Sequence, residues 1–511
     1  MRSRLAPTSD PVRAADALAR AGRLEDALEL LDGARTKDPT NADIVLGLAR
    51  VARRMSMPEA ASRCAAAALD LAPEKIEAVV EHSIALRSLG EHTEAVELLR
   101  AHIGRCPERA ELWLALANTV HEQGEIAAAE EFLREALRLN PRSAEARANL
   151  ADILFDRGEA ASALELYAEA IKRAPRHAQM RFNRALALLY SGDLKAGWRD
   201  YEARLEIEDR RIERRFAGKS PTRWDGGPRR ARSLLVMAEQ GLGDQIFFAS
   251  LVPKLIERDE GPLIVECEPR LVALFARSFA PARVHACRPL REGGRIHVDY
   301  DWLEDAGGAD LSIELASLAR LLKPELGTVP EIYAPLVADP EEAETWRRWL
   351  AGLSTKPKVG VCWRSGKRGG LRDLQYAALS HWRALLEGTD AEFILCQYDD
   401  HAEEITELEA SGRKLHIPPR IDQKQEIDRL AALLSSLDAV VSAPTVVAML
   451  AAAVGTPTIK LTYSGSWTTL GHTREPFLPA SEVIRPTRAG DWAEAFARAQ
   501  SALLAVLPPR G

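Results

Sequence analysis

A 34-residue beat runs through the first two hundred positions and limits what this chain can fold into more than any other feature. Prolines stand at Pro39, Pro73, Pro107, Pro141 and Pro175. Small turn residues stand at Gly22, Ser56, Gly90, Gly124, Gly158 and Gly192, and alanines at Ala27, Ala61, Ala95, Ala129 and Ala163. Three registers sharing one period predict a repeated helix–turn–helix unit. The glycine position ends the first helix and permits a tight turn. The alanine lets the second helix pack closely on the first, and the proline stops it before the next unit begins. Such units bury their faces only by stacking, so a superhelix with a concave groove is expected.

The period is that of tetratricopeptide repeats. About six copies fit between Ser9 and Arg211, giving a repeat domain over 9–211. The sixth copy loses its closing proline and runs into Gly197-Trp198-Arg199-Asp200-Tyr201-Glu202, whose aromatics and charges predict a helix docked on the next domain. A spacer and a protein-binding groove are both open to such an array. Binding is the favoured reading, because concave solenoid surfaces are mostly used that way. Residues 212–231 are basic and punctuated by Gly and Pro, and read as a linker. The alternative is that some of their arginines face a phosphate-bearing ligand. Trp224 is not expected to remain in solvent.

From Ser233 the pattern changes to strands alternating with helices. Strands are predicted over 234–238, 263–266, 283–286, 295–300, 358–363, 392–397, 439–442 and 458–462. Helices are predicted over 271–279, 313–322, 341–353, 380–387, 401–411, 427–436, 445–454 and 492–507. This alternation implies parallel sheets covered on both faces. A break at Ala338-Asp339-Pro340 divides the elements into two Rossmann-like lobes, 232–338 and 339–511. The fold class is therefore an α superhelix followed by a two-lobed α/β body.

The formal charge of −7 gives no basic footprint for nucleic acid. Six cysteines (Cys64, Cys106, Cys267, Cys287, Cys362, Cys396) are too scattered for a Cys-x-x-Cys site, so free thiols in the reducing cytoplasm are expected. No apolar signal-peptide core follows Arg2 and Arg4. The most apolar stretch, 430–461, is broken by Asp438, Pro444, Gly455 and Pro457 and does not read as a membrane span.

Three stretches carry candidate chemistry. Glu239-Gln240-Gly241-Leu242-Gly243-Asp244 follows a buried strand and opens a helix, a common ligand-holding corner. Ile246 occupies the third glycine position of G-x-G-x-x-G, so the dinucleotide fingerprint fails. From spacing alone Asp244 reads as a helix-capping or first-turn acid, with a general base as the alternative. Arg364-Ser365-Gly366-Lys367 follows the second lobe's first strand and fits either a phosphate cradle or an exposed basic loop. Ala443-Pro444-Thr445-Val446 opens an Ala-rich helix, where Thr445 and adjacent amides are placed to hold a diphosphate or simply to cap.

Taken together, these residues resemble a known family. Six repeats, Gly197-Trp198-x-x-Tyr201-Glu202-x-Arg204, Trp224-Asp225-Gly226, the Glu239–Asp244 block and Thr445 with Gly455-x-Pro457 are similar to bacterial tetratricopeptide-linked glycosyltransferases with a heptosyltransferase-like GT-B half. The Cys362–Gly366 segment and Cys396-Gln397-Tyr398-Asp399 look most like members that glycosylate flagellin. The resemblance implies metal-independent, inverting transfer from a nucleotide-activated sugar to Ser or Thr of a protein recruited by the repeats. It names flagellin as the first acceptor and a nonulosonic acid as the donor sugar, with no cofactor. It makes Asp244 the base and puts Glu239, Gln240, Gly241 and Gly243 on the acceptor side of the cleft. The donor side would comprise Arg364, Ser365, Gly366, Lys367, Gln397, Tyr398, Ala443, Thr445 and Val446. One departure stands out. The family pattern Asp-Thr-x-x-x-His is replaced by Pro444-Thr445 and Met449, which keeps open a non-catalytic scaffold as the alternative.

Overall fold

The computed structural model describes residues 10–508 apart from 240, 293–294, 323–332, 367–368, 411 and 489. The chain falls into two compact units. One holds the helix pairs up to Ile153. The other takes in Leu154–Tyr167, the sixth helix pair and the α/β lobes.

The repeats form helices α1 (Pro11–Arg20), α2 (Leu24–Lys37), α3 (Ala42–Arg54), α4 (Pro58–Leu71), α5 (Ile76–Leu89), α6 (His92–Arg105), α7 (Ala110–Glu122), α8 (Ile126–Leu139), α9 (Ala144–Asp156), α10 (Ala160–Arg173), α11 (Ala178–Tyr190) and α12 (Leu194–Tyr201). Each register does its expected work. The turn position is left-handed in every copy, and Ser56 adopts it with φ of 58° where the other copies use glycine. The five register alanines are fully buried. Asp10 and Asn41 cap α1 and α3: Asp10 accepts from Val12 N at 2.9 Å, and Asn41 from Asp43 N at 3.1 Å.

In the second unit α12 turns its aromatic face inward. Trp198 and Tyr201 pack against Phe248, Trp467 and Phe477, with Trp198 stacked on Phe477 at 6.1 Å. The sixth copy thus shares one apolar core with the α/β body, as its aromatic ending predicts.

The first lobe contains β1 (Ile212–Arg215), β2 (Thr222–Arg223), β3 (Leu234–Met237), α13 (Leu242–Ala249), α14 (Val252–Glu257), β4 (Leu263–Cys267), α15 (Val272–Ser278), β5 (Arg283–Ala286), β6 (Leu290–Glu292), β7 (Arg295–Asp299), α16 (Trp302–Asp305), β8 (Leu311–Glu314) and α17 (Leu318–Leu322). Its sheet runs β2-β8-β3-β4-β5, all parallel. The second lobe contains α18 (Pro340–Ala351), β9 (Lys358–Cys362), α19 (Leu379–Glu387), β10 (Glu392–Leu395), α20 (Ala402–Glu409), β11 (Leu415–His416), α21 (Ile427–Leu434), β12 (Ala439–Ser442), α22 (Val446–Ala453), β13 (Thr458–Leu461), β14 (Arg474–Glu475), β15 (Leu478–Ile484) and α23 (Trp492–Val506). Its order is β11-β10-β9-β12-β13-β15-β14, parallel except for β14. Two Rossmann-like lobes in succession make this half a GT-B-type body. Among the described residues no helix is long and apolar enough to cross a membrane.

Three expectations need correction. Residues 212–231 are not a bare linker: β1 pairs with β7, β2 pairs with β8, and Trp224 is buried with its indole N–H donating to Gly227 O at 2.8 Å. The basic side chains there masked the strand pattern. Residues 313–322 begin as strand and not as helix, because Leu311 and Ile313 belong to a central strand and the helical spacing starts only at Leu315. β15 carries Pro479, and that proline hid a strand which α22 packs against.

Candidate functional site

The first-lobe corner is built around an acid, Asp244. β3 delivers the chain to Ala238, whose N–H donates to Glu266 Oε2 at 3.0 Å. Gly241 then stands at the N-cap of α13, and Asp244 sits in the first turn. The Asp244 carboxylate folds back over Gly241: a β-carbon there would lie 2.7 Å from Asp244 Oδ2. Among the described residues no donor reaches that carboxylate. Burial pushes the Asp244 carboxyl up to about 6. The charge of Glu239 adds to the rise, while Arg204 and Arg210 oppose it.

Glu239 is held firmly by comparison. Arg204 Nη2 donates to Glu239 Oε1 at 2.8 Å, and Ala316 N donates to the same oxygen at 3.0 Å. Arg204 also reaches Glu202 at 3.0 Å and Ser317 Oγ at 3.1 Å, and its guanidinium lies 4.9 Å from the centre of the Tyr201 ring. Gln245 locks the turn, donating to Glu239 O at 2.6 Å and accepting from Glu268 N at 2.8 Å. A cavity of about 280 Å³ opens beside these groups, lined by Phe182, Tyr201, Arg204, Arg210, Glu239 and Asp244 among others.

A larger cavity, about 740 Å³, lies on the other side of the same helix start. Gly243 and Leu242 line it, together with Ser365, Gly366, Tyr376, Tyr398 and the first turn of α22. Thr445 is the N-cap of α22, and its hydroxyl lies 3.0 Å from Ser442 Oγ. Arg270 and Lys424 bring positive charge to the wall. Arg270 donates to Lys424 O at 2.6 Å, and Lys424 Nζ lies 2.7 Å from Asp399 Oδ1. Gln423 presents a buried side-chain oxygen that has no donor among the described residues. An uncapped helix start, nearby cations and tyrosine rings suit a nucleotide diphosphate.

The structure therefore gathers Gly243, Ser365, Gly366, Tyr398, Thr445 and Val446 around one cavity, and Glu239 and Asp244 around the other. Gly241 serves by leaving room for the carboxylate. Ala443 and Gln397 lie beneath the larger cavity. Ala443 N donates to Cys362 O at 2.8 Å, and Gln397 clips the ends of β9 and β10, accepting from Trp363 N and Arg364 N at 3.1 Å each. Arg364 does not line the cavity. It is buried and donates to both oxygens of Glu404, at 2.6 and 2.7 Å, which raises its affinity for its own proton and leaves it no face for a phosphate. Gln240 and Lys367 lie outside the described residues. Met449 and Pro444 both line the larger cavity, and a β-carbon on Gly243 would stand 3.0 Å from Met449 Sδ. Among residues not singled out beforehand, Arg204 was visible in the Trp198–Arg204 block. Arg270, Tyr376 and Lys424 carry no local signal. Among the described residues no three His, Cys, Asp or Glu side chains gather into a metal site.

Comparison with known proteins bears first on the repeats. Residues 18–82 and 120–189 match one tetratricopeptide-repeat model, and residues 80–144 match another. Residues 18–189 of the chain thus carry tetratricopeptide repeats, and the half that follows holds two Rossmann-like lobes. It is 32% identical over 312 residues to protein FlbA of Caulobacter vibrioides, a match covering 60% of this chain and 52% of that protein. The chain thus spans about half the length of that curated relative. Among solved structures, a tetratricopeptide protein of Thermus thermophilus is 26% identical, covering 35% of this chain and 97% of its own, at a TM-score of 0.33. E. coli ADP-heptose LPS heptosyltransferase II is 12% identical, covering 54% and 98%, at a TM-score of 0.37.

Proposed function

We propose that the chain is a protein O-glycosyltransferase of the inverting, metal-independent kind, acting in the cytoplasm without a cofactor. The observation that carries this reading is the start of α13, where Gly243 faces the larger cavity and Asp244, with its carboxyl pushed up to about 6, faces the smaller one. A carboxylate poised near neutrality suits a general base. In the proposed reaction Asp244 takes the proton of an acceptor Ser or Thr hydroxyl as its oxygen bonds to the anomeric carbon. The bond from that carbon to the donor phosphate breaks, and the nucleotide leaves with the electron pair. Thr445, the first turn of α22, Arg270 and Lys424 neutralise the departing phosphate. Ser365, Gly366, Tyr376, Tyr398 and Val446 hold the rest of the donor, while Arg364, Gln397 and Ala443 shape the wall. The repeats recruit the acceptor. Flagellin is the first acceptor to test, and a nonulosonic acid the first donor sugar. The test is intact-mass measurement of the acceptor after incubation with a panel of activated sugars. A mass gain is expected with the native chain and none with Asp244→Asn. A gain that survives this change overturns the mechanism.

A second reading is a scaffold whose transferase half is inactive. Met449 and Pro444 in place of the family His and Asp favour it, as does the closure of Arg364 on Glu404. Calorimetric titration with the same activated sugars separates the two. Tight binding that weakens by about tenfold in Thr445→Ala removes the scaffold reading.

A further inference from the structure

Around the smaller cavity the balance of charge is unusual. Four arginines (Arg204, Arg210, Arg211 and Arg214) line it against three carboxylates (Glu239, Asp244 and Glu314). Most of this charge is already committed. Arg204 is tied to Glu202 and Glu239. Arg214 donates to Ala238 O at 3.1 Å and to the Tyr300 hydroxyl, with Glu266 at 3.5 Å. Glu314 is paired with Arg223 at 2.9 Å. Arg210 and Arg211 are exposed. Arg210 lies 5.2 Å from the centre of the Phe182 ring, close enough to Asp244 to pull its carboxyl down. Among the described residues Arg211 forms no ion pair. Arg211 therefore turns a guanidinium to water at the opening beside Asp244, and Arg210 stands next to it on the cavity lining.

We propose that this cavity takes an acidic side chain of the acceptor segment, so that the Ser or Thr presented to Asp244 is flanked by Asp or Glu. The inference rests on the transferase reading and narrows its acceptor class. A cavity of about 280 Å³ is too small for a nucleotide, which the larger one suits, and admits a short piece of extended peptide. Guanidinium is weakly hydrated and binds carboxylate through two parallel N–H bonds, so it is the group that would select an acid there. An acid entering beside Asp244 would repel it, and cations at the rim offset that repulsion.

The test uses the full chain and three labelled peptides: acetyl-Gly-Asp-Ser-Asp-Gly-amide and its forms with Asn or Lys in place of both Asp residues. Binding is read by fluorescence anisotropy without any donor, so failure of sugar transfer, which strikes the transferase reading, is scored separately. The Asp peptide is expected to bind about tenfold tighter than the Asn peptide, the size of one or two charge pairs. That preference should vanish in Arg210→Gln/Arg211→Gln and persist in Arg347→Gln/Arg348→Gln, which alters exposed arginines of α18 instead. Equal binding of the peptides, or a preference that survives the first double change, overturns the proposal. So does loss of the preference in the Arg347/Arg348 variant. N-acetylneuraminic acid serves as the competing source of carboxylate. If it binds in an Arg211-dependent way and the Asp peptide does not, the cavity recognises an acidic sugar and the proposal falls.

Discussion

Each lobe sets a charged side chain past the end of a central strand, and the two are treated differently. In the second lobe Arg364 is clamped by both oxygens of Glu404, and Gln397 fixes the backbone on either side of it. In the first lobe Asp244 has no donor among the described residues, a carboxylate neighbour in Glu239, and a raised affinity for its proton. Glu239 itself is as well satisfied as Arg364, because Arg204 and Ala316 supply its donors. The comparison separates charges that hold the frame from a carboxylate that, among the described residues, has no donor of its own. A group whose hydrogen bonds are complete has little left to offer a substrate.

The comparison can be broken at five points. The largest effect is expected at Asp244. Asp244→Asn should lower kcat by about a thousandfold, at the middle of the range for removing a general base. The native pH profile should rise through about 6 as Asp244 releases its proton, and the variant should lack that limb. The same change should help folding. Folded Asp244 keeps its proton up to about 6, whereas an unfolded Asp loses it near ~4. Native stability is therefore lost between those pH values as pH rises. The variant should gain on the native chain by about 1–3 kcal/mol at pH 8 and by almost nothing at pH 4, read by chemical denaturation.

Arg204→Met should cost about 3–4 kcal/mol of stability, because it strands Glu239 and Glu202 with fewer donors. Adding Glu239→Gln should return part of it. Gly241→Ala should fold normally yet lose about a hundredfold in kcat, since the new methyl displaces the Asp244 carboxylate. Glu404→Gln should cost about 1–3 kcal/mol of stability with nucleotide affinity unchanged. A large loss of affinity there would return Arg364 to the donor site. Thr445→Val should be the mildest, weakening nucleotide binding by about tenfold at most with little change in melting temperature.

The repeats were legible because they obey one rule many times. The Gly/Ser turn, the buried alanine and the closing proline each recur in register, so a single irregular copy, such as Ser56 in a left-handed turn, does not hide the period. The Glu239–Asp244 corner was legible for a related reason: strand, glycine turn and helix start are contiguous in the chain. Arg364 shows what contiguity misses. Its position after β9 fits a phosphate loop, but its partner Glu404 lies forty residues on, in α20. β1, β2 and β15 were hidden by arginines and prolines that their neighbours in the sheets accommodate. The larger cavity draws Arg270, Tyr376 and Lys424 from three separate loops, and nothing in the local sequence of any one of them announces the other two.

The sixth helix pair has a consequence of its own. By spacing it is a repeat, but by packing it belongs to the α/β body. Trp198 and Tyr201 fill an aromatic cluster with Phe247, Phe248, Trp467 and Phe477, and the turn at Gly192 approaches Gly471 so closely that no side chain fits at 471. The first four copies lie in the other compact unit, whereas Leu154–Tyr167 of the fifth belongs with the α/β body. The pair itself is a fixed post: its loss would bare that aromatic surface to water and remove Arg204 from beside Glu239. Descendants of this architecture should therefore vary in how many repeats they carry while keeping the last one.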